Sequence, residues 1–182
     1  MIEIRIHGRG GQGSVTAAEL LAVAAFDDGR EAQAFPAFGV ERRGAPVQAF
    51  CRISEKPIRR RNQIVAPDYV VVQDPTLMDT VDVFAGLKQG GTVLINSERP
   101  AAEFKVAAGA KVVTVPATQI ALEELKRPIM NTAIMGAFAG LSGAITFEAI
   151  ERSIRHRFPG ELAEPNVKAA RRAYELTAGA RG

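Results

Sequence analysis

Four glycines fall within six residues in Gly8-Arg9-Gly10-Gly11-Gln12-Gly13, between a short alternating run and an alanine-rich stretch. Before the loop, Ile2, Ile4 and Ile6 alternate with Glu3, Arg5 and His7, which predicts a strand with one buried face. Behind it Val15, Ala18, Leu21, Ala22 and Ala25 recur at helical spacing, with Ser14 read as the helix cap. Strand, glycine loop and helix in that order direct the chain towards an α/β fold. The order also aims backbone N–H groups at the space beyond the helix start, where the macrodipole and the unpaired donors favour an anion.

Further along, a second strand is expected at Glu31–Phe35 and a third at Val47–Ile53. A turn at Ser54-Glu55-Lys56-Pro57 suggests that the third strand forms a hairpin with Ile58–Asn62. Tyr69-Val70-Val71-Val72 reads as a strand buried on both faces. A helix is expected over Thr76–Leu87, and strands at Thr92–Ile95 and Val112–Val115. Thr118–Leu125, Asn131–Leu141, Thr146–Phe158 and Asn166–Ala178 then show helical periodicity. The expected fold is a three-layer α/β/α arrangement with a mixed, mostly parallel sheet and a helical C-terminal part. The whole chain, 1–182, is read as one domain, sheet-rich over 1–116 and helical over 117–182.

Gly8, Gly10 and Gly13 match the spacing of a dinucleotide fingerprint. Such a site also needs an acidic residue at the end of the second strand, for the ribose hydroxyls. Here that strand runs into Phe35-Pro36-Ala37-Phe38, with Asp27 and Asp28 too early and Glu41 too late. Gly13-Ser14-Val15 lacks the lysine of a P-loop. Two readings of the loop remain open: a turn that lets strand and helix pack closely, and a nest for a phosphate or acidic group with Arg9 and Gln12 at its rim.

Other residue types narrow the function by exclusion. Cys51 is the only cysteine, so no intrachain disulfide is possible, and an iron–sulfur cluster needs about four cysteine ligands. The pI near 9.3 comes from dispersed basic residues, and tryptophan is absent, which argues against nucleic-acid binding. No apolar run reaches the roughly 20 residues of a membrane span, so a soluble cytoplasmic protein is expected. His7 and His156 have no partnered nucleophile, and no metal-ligand cluster or catalytic set stands out. Gln33 to Pro46, with Phe38, Glu41, Arg42 and Arg43, is too apolar for an ordinary loop and combines residue types common in protein–protein contacts. The Arg59-Arg60-Arg61 run reads as an exposed face.

Several of these segments together resemble one family. Gly8 to Gly13, Thr16-Ala17-Ala18-Glu19-Leu20-Leu21, Gln33-Ala34-Phe35-Pro36 and above all Phe38-Gly39-Val40-Glu41-Arg42-Arg43-Gly44-Ala45-Pro46-Val47 are similar to the gamma subunit of 2-oxoacid:ferredoxin oxidoreductases, with the pyruvate enzyme the nearest type. The likeness continues through Pro57-Ile58-Arg59, Pro67-Asp68-Tyr69-Val70, Gln73-Asp74-Pro75-Thr76-Leu77 and Asn131-Thr132-Ala133-Ile134-Met135-Gly136-Ala137.

The resemblance implies a non-catalytic-centre chain, inactive alone, in a complex with alpha, beta and delta-type (ferredoxin-like) subunits. Thiamine diphosphate and [4Fe–4S] clusters would sit in those partners, and ferredoxin or another carrier would take the electrons. The complex would decarboxylate a 2-oxoacid oxidatively and transfer the acyl unit to coenzyme A; pyruvate is favoured over phenylglyoxylate, 2-oxoisovalerate or 2-oxoglutarate. The resemblance makes Arg9, Gly10, Gly11, Gln12 and Gly13 candidates for holding CoA phosphates at a subunit junction. It makes Phe38, Glu41, Arg42 and Arg43 candidates for the subunit interface. A docking subunit without ligand contacts is the alternative.

Overall fold

The computed structural model describes residues 1–37, 42–106 and 109–180. Six strands, β1 (Ile2–Arg9), β2 (Glu31–Pro36), β3 (Pro46–Ser54), β4 (Tyr69–Val72), β5 (Thr92–Asn96) and β6 (Lys111–Val115), form one sheet in the order β2-β3-β1-β4-β5-β6. β3 is antiparallel to both its neighbours, whereas β1, β4, β5 and β6 are mutually parallel. The sheet is therefore mixed and mostly parallel, as the sequence indicates.

Five α-helices follow: α1 (Ser14–Asp27), α2 (Ala117–Leu125), α3 (Asn131–Ser142), α4 (Phe147–Arg157) and α5 (Ala163–Ala178). They bury one face of the sheet, where Ile4, Ile6, Cys51, Val71 and Leu94 meet the apolar sides of the helices. The other face is covered by loops and by 3-10 turns at Pro75–Asp79 and Ala101–Glu103, over an apolar group built on Val70, Val72, Val93 and Ile95.

Three local expectations are corrected. Ile58–Asn62 contains no strand, and β3 pairs instead with β2, from Glu31↔Ser54 to Pro36↔Ala49. The helix expected over Thr76–Leu87 is reduced to the 3-10 turn at Pro75–Asp79, started by Asp74 accepting from the Thr76 N–H. Ser14 is the first residue of α1 rather than its cap, and its hydroxyl donates to Gln73 Oε1 at 2.6 Å.

β1 holds a larger surprise, since its polar face is buried too. Glu3 accepts from Arg52 Nε at 2.9 Å, and Arg52 also donates to Gln33 Oε1 and the Asn62 carbonyl. Arg5 donates through Nε to His7 Nε2 at 3.0 Å and through Nη2 to the Val83 and Ala85 carbonyls. That bond fixes His7 as the neutral tautomer protonated on Nδ1. Burial, reinforced by the Arg5 charge, pushes the His7 pKa down from 6.5 to about 3.

The unfolded chain therefore binds a proton at His7 that the folded chain refuses between pH 6.5 and about 3. This contribution to stability is complete above pH 6.5 and is lost as pH falls through that window. Urea midpoints measured from pH 7 to pH 4 are expected to fall less steeply for His7→Gln than for the unsubstituted chain. Equal slopes would exclude His7 as the cause.

Candidate functional site

The parallel strands β1, β4, β5 and β6 end on the same edge of the sheet, and a pocket of about 620 Å³ opens there. Open α/β sheets place their ligands at this edge. Three helices begin at it. Gly13, Pro116 and Met130, the N-cap residues of α1, α2 and α3, all line the pocket, and none of the three helices has a side-chain cap. α4, which starts elsewhere, is capped by Thr146, whose hydroxyl accepts from the Ala149 N–H. The pocket thus collects the positive dipole ends of three helices; the Thr118 N–H in the first turn of α2 is taken by Asn96 Oδ1, whereas α1 and α3 start without a side-chain cap.

Its floor is a set of hydrogen-bonded amides and hydroxyls. Gln73 accepts from Ser14 Oγ and donates from Nε2 to Asn131 Oδ1 at 3.1 Å. Asn96 donates from Nδ2 to the Gln73 carbonyl and to Thr118 Oγ1, and accepts from the Thr118 N–H. Gln73, Asn96 and Asn131 are all buried. Sequence reading passed over all three, because an isolated Gln or Asn carries no periodic signal. Their shared position, at the ends of parallel strands or the start of a helix, was the available clue.

The candidate residues of the glycine loop divide into different jobs. Arg9 turns away from the nest: it donates to Asp74 Oδ2 at 3.0 Å, Thr76 Oγ1 at 2.8 Å and the Gly44 carbonyl at 3.1 Å. Gln12 spans the loop, accepting from the Arg9 N–H at 2.7 Å and donating to Asp74 Oδ2 at 3.2 Å. Partial burial works to raise the Asp74 carboxyl, but hydrogen bonds from Thr76, Gln12 and Arg9 outweigh it and hold it below the usual range. Gly10 exchanges backbone bonds with the tip of the β2–β3 hairpin, donating to the Ala45 carbonyl and accepting from the Gly44 N–H. Gly11 has φ of 94°. A Cβ built there would lie 3.8 Å from Arg43 Cγ and 4.0 Å from its Nε.

Arg43 is thus the described cation beside the loop's open side, while Asp74 and Glu98 are the charged residues among those that line the pocket. Arg42 and Arg43 are exposed and make no ion pair among the described residues. Phe38 and Glu41, the other interface candidates, lie outside the described residues. β2 is the sheet's edge strand, separated from β1 by β3, so its end does not adjoin the glycine loop as a dinucleotide site requires. Among the described residues no group of three or more His, Cys, Asp or Glu side chains could hold a metal ion. No helix among them is long and apolar enough to cross a membrane.

A mixed, mostly parallel sheet with a crevice at the ends of its parallel strands defines a protein of the α/β class. The chain belongs to the pyruvate ferredoxin/flavodoxin oxidoreductase family, whose model matches residues 3–176. It is of the gamma type, a subunit of an oxidoreductase complex. It is 58% identical over 175 residues to the pyruvate synthase subunit PorC of Methanothermobacter marburgensis, covering 96% of this chain and 97% of that protein. It is 57% identical over 180 residues to the pyruvate/ketoisovalerate oxidoreductases common subunit gamma of Thermococcus litoralis, covering 97% of each. Among solved structures, the pyruvate oxidoreductase subunit PORC of Thermotoga maritima superposes with a TM-score of 0.85 at 40% identity, over 96% of both chains.

Proposed function

We propose that this chain is the gamma subunit of a complex that converts a 2-oxoacid, pyruvate first among candidates, and CoA to acyl-CoA, CO2 and reduced ferredoxin. The phosphate end of CoA would lie in the glycine-loop pocket at a junction with the other subunits. The observation that carries the ligand reading is the convergence of three helix starts on one pocket, those of α1 and α3 without a side-chain cap. Phosphate groups are bound by such termini through backbone N–H groups and dipoles, with little need for lysine.

The structure changes which residues this reading depends on. The donors are the Gly11 and Gly13 region and the first turns of α1 and α3, and the cation beside Gly11 is Arg43. Arg9 acts indirectly, by pairing Asp74 and so leaving Glu98, exposed at the rim, as the lining carboxylate in no ion pair among the described residues. Iron–sulfur clusters fit the partner chains, since Cys51 is buried and is the one cysteine of the sequence. The Thermococcus litoralis relative is named as common to pyruvate and ketoisovalerate enzymes, which supports placing the choice of 2-oxoacid outside this subunit.

The test is CoA titration of the assembled complex. Gly11→Ala, Arg43→Ala and Arg9→Ala are each expected to raise the KM for CoA about tenfold, the order of one charge-assisted hydrogen bond. An unchanged KM in all three overturns the ligand reading. Arg42, exposed and in no ion pair among the described residues, favours a docking role for the hairpin tip as well. Arg42→Glu is then expected to abolish co-purification with the other subunits; an intact complex would count against that role.

A further inference from the structure

The glycine fingerprint is explained by an unexpected partner. A Cβ on Gly8 would collide with Ser14 Oγ and lie 2.5 Å from Gln73 Oε1. A Cβ on Gly13 would collide with Asn131 Nδ2. Both positions are left bare to seat the amides on the pocket floor. Gly10 is left bare to admit the Arg42 carbonyl. Of the loop's glycines, Gly11 alone meets no atom closer than 3.8 Å.

Gln73 stands at the centre of that floor. It follows β4 directly and is 1% exposed. Its N–H donates to the His7 carbonyl at 2.8 Å, so its backbone is fixed to β1. Its carbonyl accepts from Asn96 Nδ2 at 2.9 Å, which in turn holds Thr118 in the first turn of α2. Its side-chain amide spans from the first residue of α1 to the first residue of α3. One residue therefore ties together the three helix starts that face the pocket.

We propose that Gln73 is the positioning residue of this pocket: its side-chain amide sets the spacing between the starts of α1 and α3, and through Asn96 that of α2. The claim rests on the CoA reading only for its kinetic consequence. In a buried network each bond constrains the next, so removing the central member releases both ends together. Glutamate keeps the reach of Gln73 and still accepts from Ser14. It retains the bridge to Asn131 once that side-chain amide turns its Nδ2 towards the new oxygen. Methionine keeps the volume and makes neither bond.

The test uses the assembled complex with Gln73→Met, Gln73→Glu and Gly8→Ala, the last pushing apart Ser14 Oγ and Gln73 Oε1 with the residue at 73 unchanged. Hydrogen exchange is read at the first intrahelically bonded amides of α1 and α3, Ala17 and Ile134, which donate to the Gly13 and Met130 carbonyls, alongside KM for CoA and kcat. Gln73→Met and Gly8→Ala are expected to raise exchange at both helix starts together. They are expected to raise the KM for CoA about fivefold, with the smaller part of the effect on kcat, a coupling of ordinary size. Gln73→Glu is expected to restore protection at both starts. Unchanged exchange in Gln73→Met and Gly8→Ala, or a rise at one helix start without the other, overturns the proposal. If Gly11→Ala leaves the KM for CoA unchanged, the CoA reading fails by itself, and the exchange pattern still decides the role of Gln73.

Discussion

Gly136→Ala is expected to lower the melting temperature by roughly 6–12 °C, although alanine is the better helix former. In an isolated helix the change would gain about 1 kcal/mol. Gly136 lies in the middle of α3, where Asn131 through Leu141 are all buried, and the helix packs against α5. The space where a Cβ would sit is filled by the Ala170 carbonyl, which is backbone and cannot rotate aside. One turn on, Gly140 meets the Tyr174 carbonyl and the Thr177 hydroxyl in the same way, and Thr177 Oγ donates to the Ala137 carbonyl at 2.8 Å. The two axes are thus held at a separation that only glycine permits. A methyl group would force them apart along the seam, at a net cost of about 3 kcal/mol after the propensity gain. Thermal unfolding checks this; an unchanged or higher midpoint would show that α5 can retreat freely.

Arg52→Met is expected to cost a similar amount, about 3–5 kcal/mol, for an electrostatic reason. Arg52 is 1% exposed and bonds Glu3, Gln33 and the Asn62 carbonyl at once. Removing it leaves Glu3 as a buried carboxylate whose remaining cation is Lys88, 3.6 Å away and half exposed. It also frees the segment around Asn62 that covers this face of the sheet. The penalty arises chiefly from the stranded charge, so Glu3→Leu combined with Arg52→Met is expected to recover more than half of it in urea unfolding. A double variant as unstable as the single one would place the cost in the lost cover over the sheet instead.

These two sites show where sequence reading succeeds and where it stops. The β-branched run at Tyr69–Val72 and the alternation over Val47–Ile53 located β4 and β3, because burial on one or two faces writes itself into residue order. The polar half of β1 misled for the same reason. Glu3, Arg5 and His7 alternate as a solvent face would, yet each is buried against partners 49, 78 or two residues away in the chain. Periodicity reports neighbours along the chain and is silent on distant compensation. The hairpin error has a similar origin: Lys56-Pro57 offers a near turn, but the edge-to-edge pairing that buries Ala34 and Ala32 comes from β2. The glycine loop pointed to the right edge of the sheet. It could not reveal that Gly8 and Gly13 make room for Gln73 and Asn131, since those contacts span 58 residues or more.

α3 begins at the pocket and runs entirely through the interior. Beside that helix start the crevice is lined by Gly11, Gln12 and Gly13 of the glycine loop, which Gly10 joins to Gly44 and Ala45 of the hairpin. The crevice therefore has one wall anchored in the core, which opens only when the whole chain unfolds. A molecule seated there would be registered against that wall, so its position would be set by the core of the protein rather than by its surface.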